Sequence, residues 1–198
     1  ALDYLIGTYV RSAELPTCID ILVSAGGHTR YDLPGVLDIL RDRADLLAVQ
    51  LDAKPKLVNW RFAELDFGSS GARRLLLSGA TLLHVAAEFG NLAAARLLLD
   101  RGAAVNARAW VDEAGVGGQT PIFHAVTQFH DWGLPMTLLL LERGADLSVR
   151  VKLPGHYERR DEVVECTALG YARRFPGAEF PGANEKTLSL LRERWGME

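Results

Sequence analysis

Gly79-Ala80-Thr81-Leu82-Leu83-His84-Val85-Ala86-Ala87 opens a segment that runs on to Leu97-Leu98-Leu99-Asp100-Arg101-Gly102-Ala103. The same parts return further along the chain in the same order. Gly118-Gln119-Thr120-Pro121-Ile122-Phe123-His124-Ala125 is followed by Leu139-Leu140-Leu141-Glu142-Arg143-Gly144-Ala145-Asp146. A shorter version is Thr167-Ala168-Leu169-Gly170-Tyr171-Ala172. Repetition on this scale predicts a stack of like units, each burying its apolar face against the next.

Each part has a physical reason. Thr81, Thr120 and Thr167 stand where a helix N-cap belongs, offering a hydroxyl to backbone N–H groups that lack a partner. Pro121 follows at the first helical position, where its missing N–H costs nothing. Ala86, Ala87 and Ala93–Ala95 are small enough for close helix approach. Gly90 separates a first helix from a second, which carries Leu92, Leu98 and Leu99 at helical spacing. Gly102 and Gly144 fall just past that second helix, where a left-handed residue closes the turn.

These residues resemble the ankyrin repeat: Thr-(Pro/Leu)-Leu-His-x-Ala, then Gly, then Leu-Leu-x-x-Gly-Ala and Val-Asn. The closest match is residues 79–107, ending in Val105-Asn106, and residues 118–149 follow the pattern well. Residues 166–198 form a degenerate closing version, with Gly170 where the family has His. In the segment at Thr120, His124 is one place out of register, so Phe123 takes the His slot. Upstream, Leu37-Asp38-Ile39-Leu40 and Leu46–Leu51 read as another helix pair, closing with Val58-Asn59. Residues 1–27 read as a repeat lacking its start, which implies further chain before Ala1. The expected fold is therefore an all-α ankyrin solenoid of about five helix-pair repeats joined by β-hairpins. It forms one domain over 1–198, with degenerate repeats in 1–59, clear ones in 79–149 and a cap in 166–198.

The spacing departs from a plain stack. Ankyrin repeats run at about 33 residues, whereas Thr81 to Thr120 is 39 and Thr120 to Thr167 is 47. The excess falls in connections: Arg108–Gly118, Val149–Glu165 and an insertion near His130-Asp131-Trp132. Between Asn59 and Gly79, Phe62–Phe67 and Arg73–Leu77 flank Gly68-Ser69-Ser70-Gly71, which reads as a hairpin with a Gly/Ser turn. Long connections in compact proteins are often functional.

The resemblance implies a protein-binding module whose turn tips and first helices line a concave partner surface. The positions beside the motif are then the expected contacts: Glu88, Phe89, Thr127, Gln128 and Arg174, with Trp110, Asp112, Tyr157 and Glu158 on the extended hairpins. Trp, Tyr and Arg are enriched where binding energy concentrates. The expected partner is a protein or peptide, bound by a monomer. The alternative is an enzyme or small-ligand receptor with a pocket among Trp110, His156 and Tyr157.

Composition fits that expectation. The chain has 198 residues, 48% hydrophobic and 24% charged, with net charge −3. No basic excess points to nucleic acid, and no apolar run reaches the length of a membrane span. Basic charge is mostly Arg, with Lys only at Lys54, Lys56, Lys152 and Lys186, a bias that suggests a bacterial source. Two distant cysteines, Cys18 and Cys166, make neither a disulfide framework nor a metal cluster and suit the cytosol. His84 and His124 read as structural. No His-x-x-x-His, Cys-x-x-Cys or phosphate-binding loop occurs, so no metal, cofactor or catalytic residue is expected.

Overall fold

The ends of the helices set the architecture. A computed structural model describes residues 2–7, 12–63, 65–70, 73–154, 162–174 and 184–195. It divides into two compact units, Ala1–Ala103 and Ala104–Glu198. The first holds α1 (Leu2–Gly7), α2 (Leu15–Ser24), α3 (Val36–Leu40), α4 (Ala44–Ala53), β1 (Leu65–Ser70), β2 (Arg73–Leu77), α5 (Leu82–Phe89) and α6 (Leu92–Asp100). The second holds α7 (Pro121–Ala125), α8 (Leu134–Glu142), β3 (Val151–Pro154), β4 (Val163–Cys166), α9 (Ala168–Arg174) and α10 (Glu185–Trp195).

Helices α2, α6 and α8 close identically. After α2, α6 and α8 the chain enters the left-handed region at Gly26, Gly102 and Gly144, with φ of 87°, 86° and 86°. The next N–H then reaches back to the carbonyl five residues earlier: Gly27 to Leu22 at 2.9 Å, Ala103 to Leu98 at 2.9 Å, Ala145 to Leu140 at 2.9 Å. This satisfies carbonyls the helix leaves open. First helices α3 and α5 end the same way, but Asp42 (φ 55°) occupies in α3 the place that Gly90 (φ 69°) holds in α5.

Apolar residues at helical spacing then stack the pairs within each unit. In the first, α5 packs on α3 and α6, and α4 packs on α6. Val85, Ala86, Ala94, Ala95 and Leu98 are fully buried there. The alanines permit that closeness. Asn91 adds a buried polar tie: its Oδ1 caps α6 at Ala94 N (2.9 Å) while its Nδ2 donates to Ile39 O (2.8 Å). In the second unit Asn184 does the same work, donating to Val126 O (3.0 Å) and Ala172 O (3.3 Å).

The long connections share one base. Three residues after Asn59, Asn106 and Ser148, the chain pairs with the residue preceding Thr81, Thr120 or Thr167. The pairs are Phe62 with Ala80, Ala109 with Gln119, and Val151 with Cys166. Residues 63–79, 110–118 and 152–165 are therefore insertions into one turn, which accounts for the irregular spacing. In the first insertion β1 pairs antiparallel with β2 and runs through Gly68-Ser69-Ser70, with an irregular register between Asp66 and Ser69. The Gly/Ser stretch expected to form the turn is thus largely strand. Gly71 lies outside the described residues.

The three threonines differ in how well they cap. Thr81 and His84 form a reciprocal box, with His84 Nδ1 accepting from Thr81 N at 3.1 Å. An acceptor at Nδ1 puts the ring proton on Nε2. Thr167 Oγ1 accepts the Gly170 N–H at 3.2 Å, with no reciprocal bond among the described residues. Thr120 has Phe123 in the His slot, and its buried Oγ1 has no hydrogen-bond partner among the described residues. Removing a made cap costs about 1–2 kcal/mol, whereas removing an unsatisfied buried hydroxyl is neutral or favourable. Urea denaturation should therefore show Thr81→Val destabilising by about 1–2 kcal/mol and Thr120→Val by none. Equal losses at both sites would contradict the capping account.

Candidate partner-binding surface

In the second unit the described residues of two connections form antiparallel pairs, β3 with β4 in one and Val111 with Gly117 in the other, and the two are linked. Val111 pairs with Gly117, and Gly117 N donates to Lys152 O at 2.8 Å, joining the first tip to β3. Arg108 rivets them further, donating from Nε to Gly118 O (3.2 Å) and from Nη2 to Arg150 O (3.2 Å). Gly117 has φ of 120°, and a Cβ there would sit 2.2 Å from Trp110 O, so only glycine fits. Asp112 orders the tip itself: Oδ1 accepts from Ala114 N (2.9 Å) and Val116 N (2.8 Å). Trp110, 48% exposed, stands on this frame. Arg174, at the end of α9, is also exposed and donates to Glu162 Oε1 at 3.3 Å.

Three expected contact residues are not on the surface. Glu88 is 0% exposed, because α5 is buried along its length from Leu82 to Glu88. Thr127 and Gln128 are buried for a different reason. Helix α7 is five residues long, and its last carbonyls need donors. Thr127 Oγ1 reaches His124 O at 3.3 Å and Phe123 O at 3.4 Å, and Gln128 Nε2 reaches His124 O at 3.0 Å. These side chains cap their own helix and present nothing to a partner. Asp112 likewise spends a carboxylate oxygen on its turn. Tyr157 and Glu158, with His156, lie outside the described residues.

Phe89, in the first unit, is half-buried. Its ring meets Phe67 of β1 edge-on, with centroids 5.0 Å apart at 63°. Phe67 in turn stacks on Tyr31 at 5.0 Å and 15°.

An exposed aromatic that the motif alignment passed over is Trp132, 48% exposed. It follows His130 and Asp131, both at φ 56°. Two consecutive non-glycine residues in that region cost about 1–3 kcal/mol each. The compensation is visible: Asp131 Oδ1 accepts from Thr187 N and Thr187 Oγ1, each at 2.9 Å, and Oδ2 from Lys186 N at 3.2 Å. Asp131 thus caps α10 from a neighbouring helix pair, and the strained turn that places it also projects Trp132. The available signal was the extra His130-Asp131-Trp132 itself.

A family model for ankyrin repeats, in three copies, matches residues 46–151, more than half of the sequence. The chain belongs to the ankyrin-repeat family. Its match begins in α4 and ends at the start of β3, so it takes in the helix pairs α5/α6 and α7/α8. No curated protein matches the chain. Ankyrin repeats are generally protein–protein interaction modules and are typically non-enzymatic. Among the described residues, no three His, Cys, Asp or Glu side chains converge as metal ligands, and no helix is long and apolar enough to cross a membrane. Burial raises the Cys166 thiol pKa against the pull of Arg174 and Arg150, so it stays protonated.

One buried carboxylate affects stability. Asp38 of α3 accepts from Gln50 Nε2 at 2.5 Å, and Gln50 Oε1 in turn accepts from Gly35 N at 3.0 Å. Desolvation pushes the Asp38 carboxyl above its ordinary value, opposed by Arg41 and the Gln50 bond. The folded state therefore holds this proton to higher pH than the unfolded chain does, and ionised Asp38 weakens folding at neutral pH. Asp38→Asn keeps an acceptor for Gln50 and should raise the denaturation midpoint at pH 7, with the gain vanishing below about pH 4. A loss of stability at pH 7 would show instead that the charge is needed. In the second unit, Asp112→Ala should speed hydrogen exchange at Ala114 and Val116 by about tenfold while leaving α7 and α8 unaffected.

Proposed function

We propose that this ankyrin-repeat protein captures a protein or peptide partner through its extended hairpins and adjacent first-helix ends, with Trp110 as a principal anchor. The observation that carries this is the order of the 108–118 tip. Arg108, Asp112, Gly117 and the link to Lys152 fix the loop before any partner arrives, yet Trp110 is left half-exposed. A rigid aromatic on an ordered loop loses little entropy on binding. Arg174 and Trp132 extend the same kind of surface in the second unit. Glu88, Thr127 and Gln128 serve folding in this reading.

The helix pairs outside the family match are read as further repeats, giving five in all. Supporting this, α2 closes at Gly26 as α6 and α8 do at their glycines. Cys18 and Cys166 are both free thiols, which suits a reducing compartment such as the cytosol.

Partner capture from a lysate of the source cell, read by mass spectrometry, tests the reading. Trp110→Ala should weaken capture by about tenfold or more, as expected for an aromatic hot spot. Capture unchanged in both Trp110→Ala and Trp132→Ala proteins would refute it.

A further inference from the structure

In the first unit, Phe67 of β1 lies against Phe89 at the end of α5, one of the first-helix ends to which the proposed function assigns partner contacts. The inference drawn from this rests on the proposed role of first-helix ends in binding. Beneath the hairpin the turn is already closed: Phe62 N donates to Ala80 O at 2.9 Å and Gly79 N to Phe62 O at 2.7 Å. Phe62–Ala80 corresponds to Ala109–Gln119 and Val151–Cys166 in the other connections. The repeat is complete without residues 65–77.

What holds the hairpin is side-chain insertion. Among the described residues its two strands pair only with each other, and a lone two-stranded hairpin is marginal in water. The register irregularity between Asp66 and Ser69 weakens that ladder further. Against this, Leu65, Phe67 and Leu77 are almost wholly buried. Leu65 and Phe67 are alternate residues of one strand and so share a face. Helix α1 packs along β1, and Phe67 contacts both Tyr31 and Phe89. A strand that buries an aliphatic and an aromatic residue, two apart, with the aromatic ring against Tyr31 and against Phe89 at the end of α5, behaves as a bound peptide would. We propose that strands β1 and β2 (Leu65–Ser70 and Arg73–Leu77) are a displaceable resident of this surface, an autoinhibitory strap. An incoming partner segment of Leu-x-Phe character must expel it to reach Phe89.

The test replaces residues 64–78 by Gly-Ser-Gly, keeping Phe62 and Ala80, and uses a fluorescein-labelled peptide of residues 62–80 as the probe. The shortened chain should keep its helical circular dichroism and bind the peptide. The intact chain should bind it at least about tenfold more weakly, because its surface is already filled. Phe89→Ala in the shortened chain should reduce binding. Unfolding of the shortened chain, or a folded chain with no peptide bound at about 1 mM, overturns the proposal.

A second measurement uses the unaltered protein. Amides of 65–77 should exchange at least about tenfold faster than those of α5 and α6, as a unit that opens while the helices stay folded. Exchange of strap and helices at one common rate overturns it. Neither measurement needs the partner, so failure here leaves the Trp110 reading standing. Conversely, capture unchanged in the Trp110→Ala and Trp132→Ala proteins would overturn the Trp110 reading, while the strap stands or falls on its own two measurements.

Discussion

An asparagine amide meeting a glycine carbonyl underlies the repeat architecture. After α6 and α8 the left-handed glycine's carbonyl accepts a bond from an asparagine of the preceding turn. Asn59 Nδ2 reaches Gly102 O at 3.0 Å, and Asn106 Nδ2 reaches Gly144 O at 3.0 Å. Asn106 also accepts from Asp146 N at 2.8 Å. Each bond is worth about 1 kcal/mol net, but its larger effect is on register. It fixes where one turn lies against the next within its unit, at the turns that lead into α5 and α7. The Phe62–Ala80, Ala109–Gln119 and Val151–Cys166 pairs follow three residues after Asn59, Asn106 and Ser148, and the insertions hang from those pairs.

That constraint explains how the chain tolerates such unequal connections. Once the base pair is made, lengthening the loop beyond it adds closure entropy only slowly. Insertions can therefore vary while the helix pairs keep their geometry. Insertion also supplies contacts of its own. Asp131, held in a strained turn between α7 and α8, caps α10, and Arg108 ties two hairpins together. The extra residues are stitched into the scaffold, which is what turns a long loop into an ordered one.

Much of the fold was legible because its signals are local. Thr81, Gly102 and the Leu-Leu-x-x-Gly endings specify caps and turns with little help from tertiary context. The Val58-Asn59 echo of Val105-Asn106 marked a real structural equivalence, since both asparagines make the same bond. The surface was harder to read. Whether Glu88 or Gln128 faces water depends on the length of α7 and on what lies over α5, and neither is set by the residues beside the motif. Phe89 looked free because nothing in the sequence says that Phe67 will turn back onto it. The strand through Gly68-Ser69-Ser70 was missed for the same reason: glycine and serine signal a turn, and only burial of Leu65 and Phe67 on the helices draws them into a ladder.

The central claim is that the repeats form the scaffold and the ordered insertions carry recognition. Hydrogen-exchange footprinting of the chain with its captured partner tests this most directly. Protection concentrated in residues 108–118 and 162–174, with the second helices α4, α6 and α8 unchanged, is the predicted result. Protection confined to those second helices, with the hairpin tips exchanging as in the free protein, would contradict it.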